Sequence, residues 1–440
     1  MTTIPSVSET MQMIFGPSAD RLGWQTGYSQ RKSELSGSIF MQTLVFGCLG
    51  TEQVTFTQLN AAALDAGAAV SNQAIDQRFS PASAALAQAV LAECLRVVVV
   101  PRPAAQGLLA RFKGVYIRDS SVVSLPAELG QIWPGVGNRQ GPTAGVKLQV
   151  RLELGDGQLA GPLVQPARAA DSRSPFQSEA LPTGAVRLGD LAYFSLEQFA
   201  DDQRQGVYTC SRYKLDTLVF DEQDRSIDLL PWLRSQGERR HFERPIRLGK
   251  QARFACRLLA IRVPPQVEAQ RRRKLREYAR KKQVTPQLST LALTRWTLIV
   301  TDVPVELLSI EEAQVLMDAR WQIEILFKLW KSVLHIDQWR SKKPWRILTE
   351  FYAKLIAAVI LHWTFLAGFW RDPHRSLWKA ALILRRFAPL LAIALPDRTQ
   401  LVAVLTHIQV HFRHVCKLNR RKKDPSTAQR LLAVETMLEH

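Results

Sequence analysis

Across the first hundred positions apolar residues recur at helical spacing, with polar punctuation and no strand-like alternation. Residues 56–66 and 71–79 read there as two short amphipathic helices around Gly67 and Val70. That shape suits a helix-turn-helix and, equally, an ordinary helical hairpin. From Phe112 the pattern changes to period two. Residues 113–125 (KGVYIRDSSVVSL) alternate, and 147–154 and 158–167 form two further strands about the turn Gly155-Asp156-Gly157. Residues 186–190 are a short apolar strand running into a helix signal, with Ser195 at the N-cap and Gln198 at the capping-box position. Residues 206–214 form another strand.

Residues 215–293 contain Pro-punctuated strands, such as 252–263, and then the run RRRKLREYARKK at 271–282. A strand returns at 296–302, and long helices follow at 310–334 and 347–370. The fold class predicted is α/β: a mixed sheet flanked by helices and interrupted by a basic β-rich insertion. The expected organisation is a helical N-terminal domain (1–105), a core split between 106–214 and 294–372, the insertion (215–293) and a helical C-terminal region (373–440). No internal repeat or low-complexity tract is visible.

Composition adds a partner class. At 440 residues the chain has room for two or three domains, and its 46% hydrophobic and 22% charged residues exclude a mainly disordered chain. Fifty-eight Lys and Arg against 39 Asp and Glu give +19, which argues for nucleic acid first and an anionic membrane surface second. The excess is local: residues 1–100 carry five basic and seven acidic side chains, whereas 234–282 carry 17 basic and four acidic, a net of +13. Five scattered cysteines without zinc or redox spacing fit a reducing cytoplasm, and the N-terminus lacks a signal-peptide pattern. Residues 351–370 are long and apolar enough to imitate a membrane span, but Lys354 and His362 interrupt them. A buried helix is the expectation, with a membrane protein as the competing one.

Acidic residues at apolar positions supply the chemistry. Val115, Ile117 and Asp119 share one face of their strand, and Val186, Leu188 and Asp190 share one face of theirs. Either aspartate alone is more often a turn former. In the helix at 310–334, wound at about 100° per residue, Arg320, Glu324 and Lys331 fall on one narrow stripe of an otherwise broadly apolar surface. Solvated (i, i+4) ion pairs explain that stripe as well as a ligand does. Three carboxylates taken together suggest a site for Mg²⁺ or Mn²⁺, hard cations that bridge to phosphate and serve in pairs in phosphodiester chemistry.

The stretches YIRDSSVVSLP, RLGDLAYFSLEQF with GVYTCSRYK, and RWQIEILFKLWKS resemble the three catalytic blocks of DDE transposases. The closest kind is the insertion-sequence group with a β-strand insertion before the glutamate. The resemblance spans roughly residues 110–372 and implies a ribonuclease H-like catalytic core, cut-and-paste transposition and an N-terminal domain that binds DNA. It implies that Asp119, Asp190 and Glu324 bind two Mg²⁺ or Mn²⁺ ions, and that Arg320 and Lys331 grip phosphate near the cleaved end. The family's glutamate block begins with Tyr, which here is Met317, and its second block reads Asp-Arg-Gly-Tyr, here Asp190-Leu-Ala-Tyr193. In related enzymes a tryptophan ending the insertion stacks on a flipped base, and Trp296 stands in the matching place, with Trp232 a weaker candidate. Arg271, Arg272, Arg273 and Lys274 are expected to hold DNA phosphates. His407, His411 and His414 have zinc-compatible spacing, although a basic helix with surplus histidines explains them better.

The expected partners are double-stranded DNA, as element ends and target, and a second copy of the chain. The expected location is a prokaryotic cytoplasm at the nucleoid. The alternative is an inactive or domesticated derivative that binds DNA without cutting it.

Overall fold

The computed structural model describes residues 3–52, 54–97, 107–137, 143–171, 174–372, 374–418 and 425–431. Among them lie nine strands: β1 (Val115–Leu125), β2 (Ala144–Glu153), β3 (Leu159–Pro166), β4 (Val186–Gly189), β5 (Tyr208–Arg212), β6 (Val219–Phe220), β7 (His241–Leu248), β8 (Phe254–Arg262) and β9 (Trp296–Thr301). They hydrogen-bond in the order β3-β2-β1-β4-β5-β9-β8-β7-β6. β1, β4 and β5 are parallel neighbours. The β2–β3 pair and the run from β5 through β9, β8 and β7 to β6 are antiparallel. The mixed α/β class predicted from the alternation is what forms. Strands β6, β7 and β8, within the segment expected as an insertion, continue the same sheet by way of β9.

Helices α1 (Ile4–Met13), α2 (Ala19–Gln25), α3 (Gly37–Gly50), α4 (Phe56–Asp65), α5 (Asn72–Asp76) and α6 (Pro81–Arg96) precede the sheet. Helices α7 (Leu196–Arg204), α8 (Leu229–Ser235), α9 (Pro265–Lys282), α10 (Leu288–Leu293) and α11 (Ile310–Ala319) follow or interrupt its later strands. Helices α12 (Trp321–Ser332), α13 (Pro344–Leu366), α14 (Leu377–Ala394) and α15 (Arg398–Val415) end the fold. The chain divides into two compact units. The first is Met1–Ala105, Asp119–Ala169 and Gln322–Gln429; the second is Gln106–Arg118, Ala170–Trp321 and Arg430–His440.

In the first unit the centre is α13. Pro344 opens it, where a missing N–H costs nothing, and its apolar residues are buried throughout. The two polar interruptions are satisfied inside the protein. Lys354 Nζ donates to the carbonyl oxygens of His335 and Gln338 at 3.0 and 2.7 Å, and His362 Nε2 lies 2.7 Å from the Gly157 carbonyl oxygen. Gly157 has φ +82°, and a Cβ there would stand 2.5 Å from the Trp370 indole, so both backbone and space require glycine. The segment that imitates a membrane span is thus a core helix here. The expected pair of short helices is present as α4 and α5, although α5 keeps only five residues of the expected nine.

In the second unit Phe242, Leu248, Phe254, Leu258, Trp296 and Val300 build the core on which the late strands pack. Ser195 caps α7 as expected, accepting from the Gln198 N–H. Gln198 does not complete a capping box; its Nε2 donates to Asp202 at 2.9 Å instead. The buried Arg187–Asp202 pair beside it, at 2.7 Å, draws that amide away from the helix end.

Candidate active site

The parallel pairing of β1 with β4 sets Val115 beside Val186, Tyr116 beside Arg187 and Ile117 beside Leu188. Asp119 and Asp190 each stand two residues beyond that last pair. Asp190 follows β4 at once and caps the short 3₁₀ turn Leu191–Tyr193, accepting from the Leu191 N–H at 2.8 Å. Asp119 accepts from the Ser120 N–H at 2.8 Å. Both aspartates are half-buried.

The single helix expected at 310–334 is two. α11 ends at Ala319, Arg320 is its C-cap, and α12 starts at Trp321. Arg320 itself keeps helical dihedrals, φ −52° and ψ −28°, between the two. Its guanidinium reaches Asp190, with Nη1 at 3.5 Å from Oδ2. Glu324 is half-buried in the first turn of α12. Lys331, seven residues on, donates from Nζ to the Val122 carbonyl oxygen of β1 at 3.0 Å. Met317 is buried in α11.

Aspartate and glutamate oxygens are the right donors for Mg²⁺ or Mn²⁺, which need several of them at once. Among the described residues no three Asp, Glu, His or Cys side chains are gathered as a metal site.

The basic helix α9 presents its charges unequally. Arg271 donates to the Trp296 carbonyl oxygen and to Thr297 Oγ1, both at 2.9 Å, and burial beside Arg212 lowers its pKa. Arg272 pairs with Glu268 at 2.8 Å. Arg273 and Lys274 are exposed, as are Arg276, Arg280, Lys281 and Lys282. Trp296, expected to stack on a base, is 7% exposed and packs edge-on to Phe242 at 5.2 Å. Its outer edge helps line a cavity of about 260 Å³ with Arg212, Arg271 and Tyr213. Trp232 also packs on Phe242, at 5.4 Å. On α15, His407 and His411 stand 4.7 Å apart with Phe387 against both rings, and His411 Nδ1 bonds the His407 carbonyl oxygen.

Arg118 and Arg187, both buried, gave no signal as motif residues, and Tyr193, noted only as a motif position, is buried with them. The signal available was parity: Tyr116 and Arg118 lie on the face of β1 opposite Asp119, and a charged residue alternating into a core demands a partner.

A mixed sheet in which β1, β4 and β5 run parallel, flanked by helices, defines an α/β protein. The transposase DDE domain model matches residues 110–360, more than half of the chain, and the chain belongs to that family of insertion-sequence transposases. The domain implies a ribonuclease H-like fold for the sheet. The chain is 26% identical to the transposase for insertion sequence element IS231C of Bacillus thuringiensis subsp. berliner, over 94% of this chain and 91% of that one. It is 29% identical to the transposase for IS231F of Bacillus thuringiensis subsp. israelensis, over 80% and 78%. A shorter match, 30% identical over 30% of this chain and 38% of the other, is to the putative transposase InsL for IS186A of Escherichia coli K12.

Proposed function

We propose that this chain is an active DNA transposase that binds the terminal inverted repeats of its own element as a homodimer and moves it by cut and paste. Water attacks the scissile phosphorus and the 3′-oxygen leaves with a proton; that 3′-hydroxyl then attacks a phosphodiester of the target DNA, joining to its phosphorus as the target strand's own 3′-oxygen leaves and takes the proton. Asp119, Asp190 and Glu324 are the catalytic acids in this reading, with two Mg²⁺ or Mn²⁺ ions as the cofactor the family implies. Arg320 and Lys331 take the phosphates beside the cut, and the exposed cations of α9 hold the flanking duplex by charge. The reaction belongs to a prokaryotic cytoplasm, at the nucleoid.

The observation that supports this reading best is the β1–β4 register, which leads both strands to an aspartate at the same step beyond Ile117 and Leu188. Carboxyl ends of parallel strands are where such sheets present reacting groups. The competing reading, a DNA-binding derivative that does not cut, is favoured by the pairing of Arg320 with Asp190. Cleavage of a duplex carrying the element's own ends, with and without EDTA, separates the two. Wild type is expected to nick in Mg²⁺, while Asp119→Ala, Asp190→Ala and Glu324→Ala each lose about 10³-fold or more in rate and keep DNA binding. Equal activity in wild type and all three variants overturns the catalytic assignment, and an inert wild type that binds the ends favours the competing reading.

A further inference from the structure

Behind the aspartates, on the opposite face of β1 and β4, two arginines are buried together. Arg118 is 2% exposed and Arg187 3%. Arg187 is well matched: Nε and Nη2 meet the Asp202 carboxylate at 2.7 and 3.0 Å, and its other bonds run to the Phe176 and Glu179 carbonyl oxygens at 3.2 and 2.9 Å. Arg118 is not. Its Nη1 donates to the carbonyl oxygens of Phe176 and Gln177 at 3.3 and 3.2 Å, but Nε and Nη2 have no hydrogen-bond partner among the described residues. Burial, with Arg187 close by, lowers its pKa to about 9. What faces the guanidinium is the ring of Tyr193, with its centroid 5.1 Å from Cζ. The negative face of an aromatic ring is a recognised counterpart for a cation that lacks acceptors.

Tyr193 is also the anchor of the turn that carries Asp190. In that turn Leu191 and Ala192 are exposed, whereas Tyr193 is 1% exposed and its N–H donates to the Asp190 carbonyl oxygen at 3.0 Å. Arg118 is joined to Asp119 by one peptide bond. A single buried cation–ring contact therefore lies one residue from Asp119 along the chain and in the turn that Asp190 caps, and apolar residues of similar volume would fill that core without the cost of unmatched N–H groups.

We propose that Arg118 and Tyr193 are positioning residues for transposition, their stack setting the direction in which the two aspartates are held. This rests on the reading of Asp119 and Asp190 as catalytic acids. Neither Arg118 nor Tyr193 touches the reacting atoms, so binding of the DNA ends should be untouched while the rate on bound ends falls.

The test measures the single-turnover cleavage rate on saturating end DNA, the Kd for that DNA and the thermal midpoint. It uses the full chain and the variants Arg118→Met, Arg118→Lys, Tyr193→Leu, Tyr193→Phe and the double Arg118→Met/Tyr193→Leu, with Asp190→Ala as the inactive reference. Tyr193→Phe keeps the ring face and is expected to stay near wild type. Tyr193→Leu and Arg118→Lys, which loses the planar stack but keeps the charge, are expected to lose about 10- to 100-fold in rate at unchanged Kd. The double variant is expected to be no slower than the slower single one, because both remove the same stack. Wild-type rates in folded Tyr193→Leu and Arg118→Lys, or losses that multiply in the double variant, overturn the positioning role and leave the catalytic reading intact. A wild type that does not cleave, or an Asp190→Ala variant that cleaves like wild type, overturns both.

Discussion

Arg271 and Arg273 sit two positions apart in one basic run, yet the fold gives them different tasks. Arg271 faces inward and ties α9 to β9 through Trp296 and Thr297, whereas Arg273 projects into solvent with Lys274. Neutralising Arg273 and Lys274 together is expected to weaken binding to all DNA sequences and to flatten the plot of log K against log salt by about 0.9 for each phosphate released. Arg271→Gln is expected to leave that slope unchanged and to lower stability by about 1 kcal/mol through its missing hydrogen bonds. Gel-shift titrations over a salt series, beside thermal melts, check both. An equal change in slope from Arg271→Gln would place the phosphate path on the inner face of α9. The sequence revealed the charge of this run but not its orientation. On a helix with few apolar residues, nothing local says which arginines turn toward the sheet. Trp296 teaches the same lesson in reverse: its place at the end of the insertion was legible, but its burial against Phe242 depends on a residue of a strand far back along the chain.

At the scale of elements, alternation was the most faithful guide. Strands stand where the pattern placed β1, β2, β3 and β4, because a strand's alternation survives any arrangement of its neighbours. Across residues 310–334 two helices stand where one was expected: α11, whose C-cap Arg320 pairs with Asp190, and α12, which bears Glu324 and Lys331. That cap makes a prediction of its own. The Arg320–Asp190 pair is partly exposed and its separation is 3.5 Å, so it contributes little to stability. A guanidinium on a DNA phosphate gains far more. Arg320→Gln is therefore expected to change stability by less than about 1 kcal/mol while weakening end binding by about tenfold. Denaturant midpoints and Kd values from the same preparations decide it. A large loss of stability with unchanged Kd would make Arg320 a structural cap alone.

For the whole molecule, net charge and core chemistry act together when the pH falls. A chain already at +19 gains further positive charge as its carboxylates protonate. Within the core of the first unit, His362 is held neutral: burial lowers its pKa from 6.5 to about 4, although the Gly157 carbonyl oxygen opposes the shift. Its Nδ1 has no partner among the described residues, so Nε2 carries the proton and a second proton would find no acceptor. Above about pH 6.5 neither the folded nor the unfolded chain protonates this ring, and it contributes nothing to pH dependence. Below that value the unfolded chain takes up a proton that the folded chain refuses, so stability falls until the pH reaches about 4. The loss attributable to His362 is about 2 kcal/mol by about pH 5. His362→Gln keeps an amide N–H for the Gly157 carbonyl oxygen and removes the titration, so its stability should fall less on acidification. Because the chain forms two compact units, a single melting curve is a poor probe. Hydrogen exchange of the α13 amides at about pH 7 and about pH 5, corrected for intrinsic rates, follows the unit that contains the histidine. The wild type should lose protection there relative to His362→Gln, and equal losses in the two would mean that other groups carry the acid sensitivity.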